Sequence, residues 1–309
     1  MRGPLRVAGS LGLAAGLGLG YAGLVERNAF ALRMYEVPVL PRGAPAVRVL
    51  HLTDLHLMPG QRRKIDWVRG LALLAPDFVL NTGDNISHPG SVDPLIEAME
   101  PFLGLPGAFV LGSNDYWAPT PKNPARYLTK RVERPRGARL PTDQVVAGLG
   151  AGGWIDLTNR RGTTTVRGLE FELVGVDDPH QRYDRYDAVA GPADAGADLT
   201  MGVVHAPYTR VLDAMVADGA GLVMAGHTHG GQLAVPFYGA LVTNCDLDTR
   251  RAKGVTRWWP GANGVPARQA PQGAAWMHVS AGLGTSPYAP VRFACRPEAS
   301  LLTLVARDA

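Results

Sequence analysis

Short apolar runs, each closed by a polar loop, recur along this chain. Val47–Leu52, Phe78–Leu80, Met201–Val204 and Gly221–Ala225 are such runs. Their length and their Val, Leu and Phe content read as buried parallel strands. Ile65, Val68, Leu71 and Leu74 keep helical spacing, so Ile65–Leu74 is expected as a helix on the sheet, ended by Pro76. Asp77–Leu80 is the next strand, Val92–Leu103 a second helix and Ala108–Leu111 a further strand. This β-α-β-α-β order argues parallel pairing and an α/β class. Phe30–Leu40 alternates as a first strand, before a Gly/Pro linker at Arg42–Pro45. Thr163–Val166 and Leu169–Val176 predict a hairpin turning at Arg167-Gly168. Val211–Val216 is expected as a helix, Leu233–Leu241 and Ala275–Ser280 as strands, and Leu301–Val305 as a closing strand. Tyr116–Gly153 breaks the rhythm with Pro119, Pro121, Pro124, Pro135 and Pro141, and reads as an insertion or cap.

Before the first strand, no residue between Arg6 and Glu26 is charged. Those 19 residues would span about 28 Å as a helix, close to a bilayer's hydrocarbon core. Six of them are Gly, which membranes tolerate. Arg2 and Arg6 precede the segment, so the positive-inside rule puts the N-terminus in the cytoplasm. Residues 1–28 are therefore expected as a single-pass anchor in the cell membrane, with the domain at 29–309 on the extracytoplasmic side. The alternative is a signal peptide cleaved near Ala29-Phe30-Ala31 and a secreted domain.

A length of 309 residues allows one large α/β domain plus an appendage, and 38 Gly with 25 Pro suit a loop-rich enzyme better than a helical bundle. The net charge of +4 fits an anionic substrate as well as a membrane surface, and does not by itself argue nucleic acid. No regular aromatic stacking platform is evident, so no nucleic-acid partner is expected. Cys245 and Cys295 lack the spacing of a zinc site. They read either as a disulfide of an exported domain or as two separate buried thiols.

The polar residues that close the runs carry the chemistry. Asp54-Leu-His56, Gly83-Asp84-Asn85 and Gly226-His227-Thr228-His229 each follow a run, Asn114 follows Phe109-Val110-Leu111, and His205 follows Met201–Val204. Strand-end carboxylates and imidazoles point into the crevice where open α/β sheets bind ligands. Mixed oxygen and nitrogen donors suit divalent Mn, Fe, Zn, Co or Ni. Taken singly, Asp54 reads equally as a turn residue or cap, and His205 as a packed histidine. Two imidazoles in a glycine-flanked loop serve no packing need.

Taken in order, D-x-H, G-D, Gly112-Ser-Asn114-Asp115, a lone His and G-H-x-H resemble the calcineurin-like metallophosphoesterases from about Val47 to Leu304. The ending Ser280–Pro287, Pro290–Phe293 and Cys295–Glu298 resembles a bacterial membrane-associated branch of that family. The resemblance implies two mixed β-sheets packed as a sandwich flanked by helices. It implies two divalent metal ions (Mn, Zn, Fe or Ni), with Asp54, His56 and His229 on one, Asn114, His205 and His227 on the other, and Asp84 between them. It further implies hydrolysis of a phosphate ester by a metal-bridging hydroxide, with Asp84, Asn114 and His229 as catalytic residues. The expected substrate is a phosphodiester or a lipid-linked phosphate or pyrophosphate; the alternative is a non-catalytic receptor for a phosphate-bearing ligand.

One departure bears on mechanism. The family has Asn and then His where this chain has Ser113 and Asn114. Either Asn114 ligates through its amide oxygen, which is the favoured reading, or Ser113 faces the metal. The usual general-acid His is then missing, and His88, Asp115, Tyr116 or a metal-bound water is expected to contact substrate and supply the proton. His51 and His278 read as core, and His180 as a turn residue, an orienter of a ligand or a substrate contact. Two basic stretches remain. Lys122–Arg139 is a cap that attracts anions or a solvated loop. Arg250–Trp259 is a membrane contact or a pair of Trp packed under a loop.

Overall fold

The computed structural model describes residues 16–121 and 136–307. The alternation in the apolar runs builds two six-stranded sheets. One has the order β1 (Ala31–Leu40), β14 (Glu298–Ala306), β2 (Val47–Leu52), β3 (Phe78–Asn81), β4 (Gly107–Phe109) and β5 (Ile155–Asp156). The other runs β12 (Gly254–Trp258), β13 (Ala275–Val279), β9 (Leu222–Ala225), β8 (Leu199–Val204), β7 (Leu169–Gly175) and β6 (Arg160–Val166). Both are mixed: β2 to β5 and β7 to β9 with β13 are parallel, while β14 against β2, β12 against β13 and β6 against β7 are antiparallel.

The strand period of two explains the layering. In β2, Val47 and Val49 face the space between the sheets with Phe78, Phe171, Met201 and Met224. Leu50 and Leu52 face the opposite way, onto the helices Arg62–Gly70 and Val92–Met99. The second sheet packs its outer face, Trp258 of β12 included, on the helix Thr209–Ala217. The result is the helix-flanked sandwich expected from the resemblance.

Several boundaries shift. The Ile65–Leu74 helix starts earlier and tightens into a 3-10 turn at Leu71–Leu74, ended by Ala75 at φ 45°. Helix Thr142–Ala151 buries Val145 and Leu149 beside Val92–Met99 and feeds β5, so the sheet-flanking rhythm resumes inside the segment read as an insertion. Leu233–Leu241 is not one strand but a short hairpin, β10 (Ala234–Val235) and β11 (Gly239–Ala240), because Pro236 removes a donor at its middle.

Residues 1–15 of the expected anchor lie outside the described residues. Residues 16–20 are helical and pass through Tyr21–Val25 into a turn at Glu26–Asn28. Among the described residues, no helix is long and apolar enough to cross a membrane. Of the first basic stretch, Lys122, Arg126, Lys130, Arg131 and Arg134 also lie outside; Arg136 stacks 5.1 Å from the Trp117 ring. Trp258 is fully buried under Arg251 and donates to Asp213, which is the packing alternative for that tryptophan. Both cysteines are free thiols.

Candidate metal centre

The parallel strands of both sheets end on one edge of the sandwich, and the loops leaving them meet there. From the first sheet come Asp54 and His56 after β2, Asp84 after β3 and Asn114 after β4. From the second come His205 after β8 and His227 and His229 after β9. All seven expected ligands are brought together. Asp84 Oδ2 lies 3.4 Å from His56 Nε2, and its Oδ1 lies 3.5 Å from His205 Nε2. His229 Nε2 is 3.3 Å from His56 Nε2 and 3.6 Å from Asp54 Oδ1. His227 Nδ1 is 3.3 Å from His205 Nε2.

The loops achieve this with a constrained backbone. Asp54, His56, Asp84, His227 and His229 all have φ between 44° and 68°, a region that costs an L-residue free energy and clusters at functional sites. Glycines permit the close approach. A Cβ on Gly112 would run into Asp84 Oδ1, and one on Gly226 would run into Thr53 and Asp54.

A divalent cation fits this donor set. Asp54 Oδ1 is buried without a hydrogen-bond partner, which is costly unless a cation faces it. Asp54, His56 and His229 place one ligand atom each within 4.8 Å of one another, and so do Asp54, Asp84 and His205. Hydrogen bonds turn the rings toward the centre. His205 Nδ1 donates to the Thr82 carbonyl at 2.7 Å, so Nε2 faces Asp84. His56 Nδ1 pairs with Ser87 Oγ at 3.1 Å and leaves Nε2 inward.

The charges are mutually set. Burial opposes ionisation of Asp84, but His205, His56 and the Asn114 N–H hold its carboxyl well below the usual range. Burial alone would lower His205; the facing carboxylates of Asp84, Asp54 and Asp178 raise it well above the usual imidazole value. Burial pushes Asp54 up to about 6 and pulls His56 down to about 4. Burial, with His56 and Arg292 nearby, lowers His229 well below the usual value, so this ring is neutral before any metal arrives.

At the departing loop Asn114, not Ser113, faces Asp84. Its backbone N–H and side-chain amide donate to the two oxygens of Asp84 at 2.7 and 2.8 Å. Ser113 turns away and donates to Asp178 at 2.5 Å. The three residues expected to contact substrate are not gathered at the cluster. Asp115 is fully buried and accepts from the N–H groups of Asp84, Asn85 and Gly112, so it clamps the loops that carry Asp84 and Asn114. His88 is exposed and caps its own turn by accepting from Gly90. Tyr116 donates to Asp177 at 2.8 Å, and burial next to that carboxylate raises its phenol further from ionisation.

Two groups escaped the sequence reading. Arg292 is completely buried and donates to the carbonyls of His229, Ala281, Gly282 and Gly284, with its guanidinium 3.2 Å from His229 Nδ1. These contacts seat the guanidinium behind the His229 ring and fix where that ring stands. Asp178, pushed up to about 6 by burial, closes the His205 side behind Ser113. His180 stands at the rim, 4.4 Å from the His227 ring and 3.1 Å from Tyr208 Oη. His51 and His278 are buried between the sheets, 3.0 Å apart, and belong to the core as expected.

The calcineurin-like phosphoesterase family model matches residues 47–231, more than half of the chain. The metallophosphoesterase YkuE of Bacillus subtilis (strain 168) is 24% identical over 94% of this chain and 91% of its own length. YpbG of the same organism is 24% identical over 85% of this chain and 83% of its own. Among solved structures, a 5′-nucleotidase precursor from Thermus thermophilus aligns over 84% of this chain and 55% of its own, with 14% identity and a TM-score of 0.44.

Proposed function

The chain belongs to the calcineurin-like phosphoesterases, and from that premise we propose that it hydrolyses a phosphodiester or a lipid-linked phosphate or pyrophosphate with two divalent ions, tethered at the outer face of the cell membrane. The observation that carries the reading is Asp84, whose two oxygens face imidazoles of opposite sheets. On this reading Asp54, His56, Asp84 and His229 hold one ion, and Asp84, Asn114, His205 and His227 hold the other. Bound ions would polarise a phosphoryl oxygen and acidify a water.

The chain's own residues do the rest. Asp84 offers one oxygen to each side of the centre. Asn114 orients that carboxylate by donating its backbone N–H and its side-chain amide to the two Asp84 oxygens. Asp115 keeps both loops in register, and Arg292 holds His229. With no histidine at position 114, the leaving oxygen takes its proton from the rim, where His180 and Tyr208 are hydrogen-bonded. A leaving group of low basicity, such as a phosphate released from a pyrophosphate, needs that proton least, which favours pyrophosphates over alkyl esters.

The test is hydrolysis of bis-p-nitrophenyl phosphate and p-nitrophenyl phosphate by metal-stripped full-length protein, before and after adding Mn, Zn, Fe or Ni. Metal-restored turnover that favours the diester and disappears in Asp84→Asn and His229→Ala is expected. Two ions bound with no turnover on either substrate or on a lipid pyrophosphate would overturn the enzyme and leave the phosphate receptor.

A further inference from the structure

We infer that the hairpin Leu233–Val242, with the helical turn before Glu26 and the segment Tyr288–Phe293, forms one apolar apron that rests in the outer leaflet of a lipid bilayer and holds the metal centre against it. The inference deepens the reading of the site as a phosphoesterase for lipid-borne substrates and rests on it.

Three stretches distant in sequence make the surface continuous. Phe293 pairs with Leu233, and its ring meets Tyr21 edge-on at 6.4 Å. Arg292 N–H donates to the Ala22 carbonyl at 3.0 Å. Gly18, Leu19, Ala22, Leu233, Val235 and Leu241 line a shared open groove of about 510 Å³. Its residues are not merely uncharged but outward. Leu17, Leu19, Leu24, Phe237, Tyr238, Leu241 and Tyr288 are all exposed. Phe237 is held fully in solvent at the hairpin tip with φ 66°, a conformation a bulky side chain rarely adopts. Contiguous exposed apolar surface of this kind marks an interaction site.

The chain around this surface indicates what covers it. The uncharged sequence from Val7 to Val25 runs into it, and 233–245 and 281–291 carry no charge either. Aromatic tips beside aliphatic groups suit the bilayer interface. Basic groups flank the apron: Arg27 and exposed Arg63 line a neighbouring cleft of about 270 Å³, which complements anionic headgroups. The coupling to the centre is short and rigid. Gln232 directly follows the His229-Gly230-Gly231 loop, and Arg292, which holds His229, directly precedes Phe293. Buried Glu26 accepts from the N–H groups of Ala294 and Cys295 at 3.1 and 2.7 Å, which fixes where the helical turn leaves the domain. A docked apron therefore presents the metal loops to phosphate at headgroup depth.

The test uses the full chain carrying Cys245→Ser and a single added cysteine at Phe237, labelled with an environment-sensitive fluorophore. A companion carries the label at Thr165, exposed near the end of β6, at the opposite end of the strands. Both are mixed with vesicles of three parts phosphatidylethanolamine to one part phosphatidylglycerol, and vesicle association is read by flotation. The expected result is a blue shift at position 237 and quenching there by a lipid-borne nitroxide, with neither at 165. An aqueous signal at 237 in protein that floats with the vesicles would show that the anchor alone binds and overturn the apron, as would failure to float or burial of the label in a protein dimer. Hydrolysis of bis-p-nitrophenyl phosphate by the same preparations separates the two readings. Turnover retained with 237 in water sinks only the apron, whereas no metal-dependent turnover of this diester, of p-nitrophenyl phosphate or of a lipid pyrophosphate sinks the phosphoesterase.

Discussion

The two sheets bring different chemistry to the same edge. The first supplies two carboxylates, an amide and one imidazole: Asp54, Asp84, Asn114 and His56. The second supplies three imidazoles: His205, His227 and His229. Neither sheet alone makes a site for a divalent cation. The first half brings only His56 and Asn114 beside its two carboxylates, and the second half brings no carboxylate to attract an ion. The surroundings of the imidazoles also set opposed proton affinities. The carboxylates of Asp84, Asp54 and Asp178 raise His205 against its burial, while burial lowers His56 and His229. The centre is thus an interface between two halves of a sandwich, and the groups that matter most are those that cross it.

The largest effect is expected where one residue serves both halves. Asp84→Asn removes the charge shared by His56 and His205, and should cut diester turnover by more than about 100-fold, beyond the usual loss for residues that only support ligands. Steady-state rates at saturating metal check this; a loss under about tenfold would mean the halves work separately.

Next is Arg292, which ties the second sheet's His229 to the loop around Gly282 that packs on Asp54. Arg292→Met should weaken metal affinity about 10–100-fold while far-ultraviolet circular dichroism stays native. Arg292→Lys should recover part of it. Equal affinity in all three proteins would remove Arg292 from the account.

The pH dependence sharpens the electrostatic half of the comparison. His205 has a raised folded pKa, so near neutral pH it holds a proton that a metal must displace. Affinity should therefore rise with pH by about tenfold per unit while one proton is released. It should fall more steeply below about 6, where Asp54 also protonates. Competition against a chromophoric chelator across that range measures the slope, and a flat profile contradicts the assignment of His205.

The smallest effect concerns a tie between halves that touches no ligand. Ser113 leaves the first sheet and donates to Asp178, which follows β7 of the second. Ser113→Ala strips a donor from a buried carboxylate and should cost about 1–2 kcal/mol of stability, with metal content unchanged. Urea unfolding of the metal-loaded protein reads it.

Much of the first tier was legible in sequence because each ligand closes an apolar run. The strand period fixes the layer, and the loop at its end can point only to the sandwich edge. What stayed hidden depends on contacts between distant segments. Nothing near Arg292 announces that its guanidinium will be buried behind His229, 63 residues away. Asp115 looked like a substrate contact because it follows Asn114, yet the short helix Ser113–Tyr116 turns its carboxylate back onto three N–H groups. The apolar content of Leu233–Leu241 predicts one strand and outweighs Pro236 and Gly239. The N-terminal anchor is read over residues 1–28; residues 1–15 lie outside the described residues, and among the described residues no helix is long and apolar enough to cross a membrane.

The most direct measurement is the number of ions bound per folded chain, by native mass spectrometry of wild-type protein and Asp84→Asn loaded with Mn or Zn. Two ions in the wild type and one or none in Asp84→Asn is the expected result. A single ion in the wild type, or two retained without the Asp84 carboxylate, would contradict a centre bridged between the sheets.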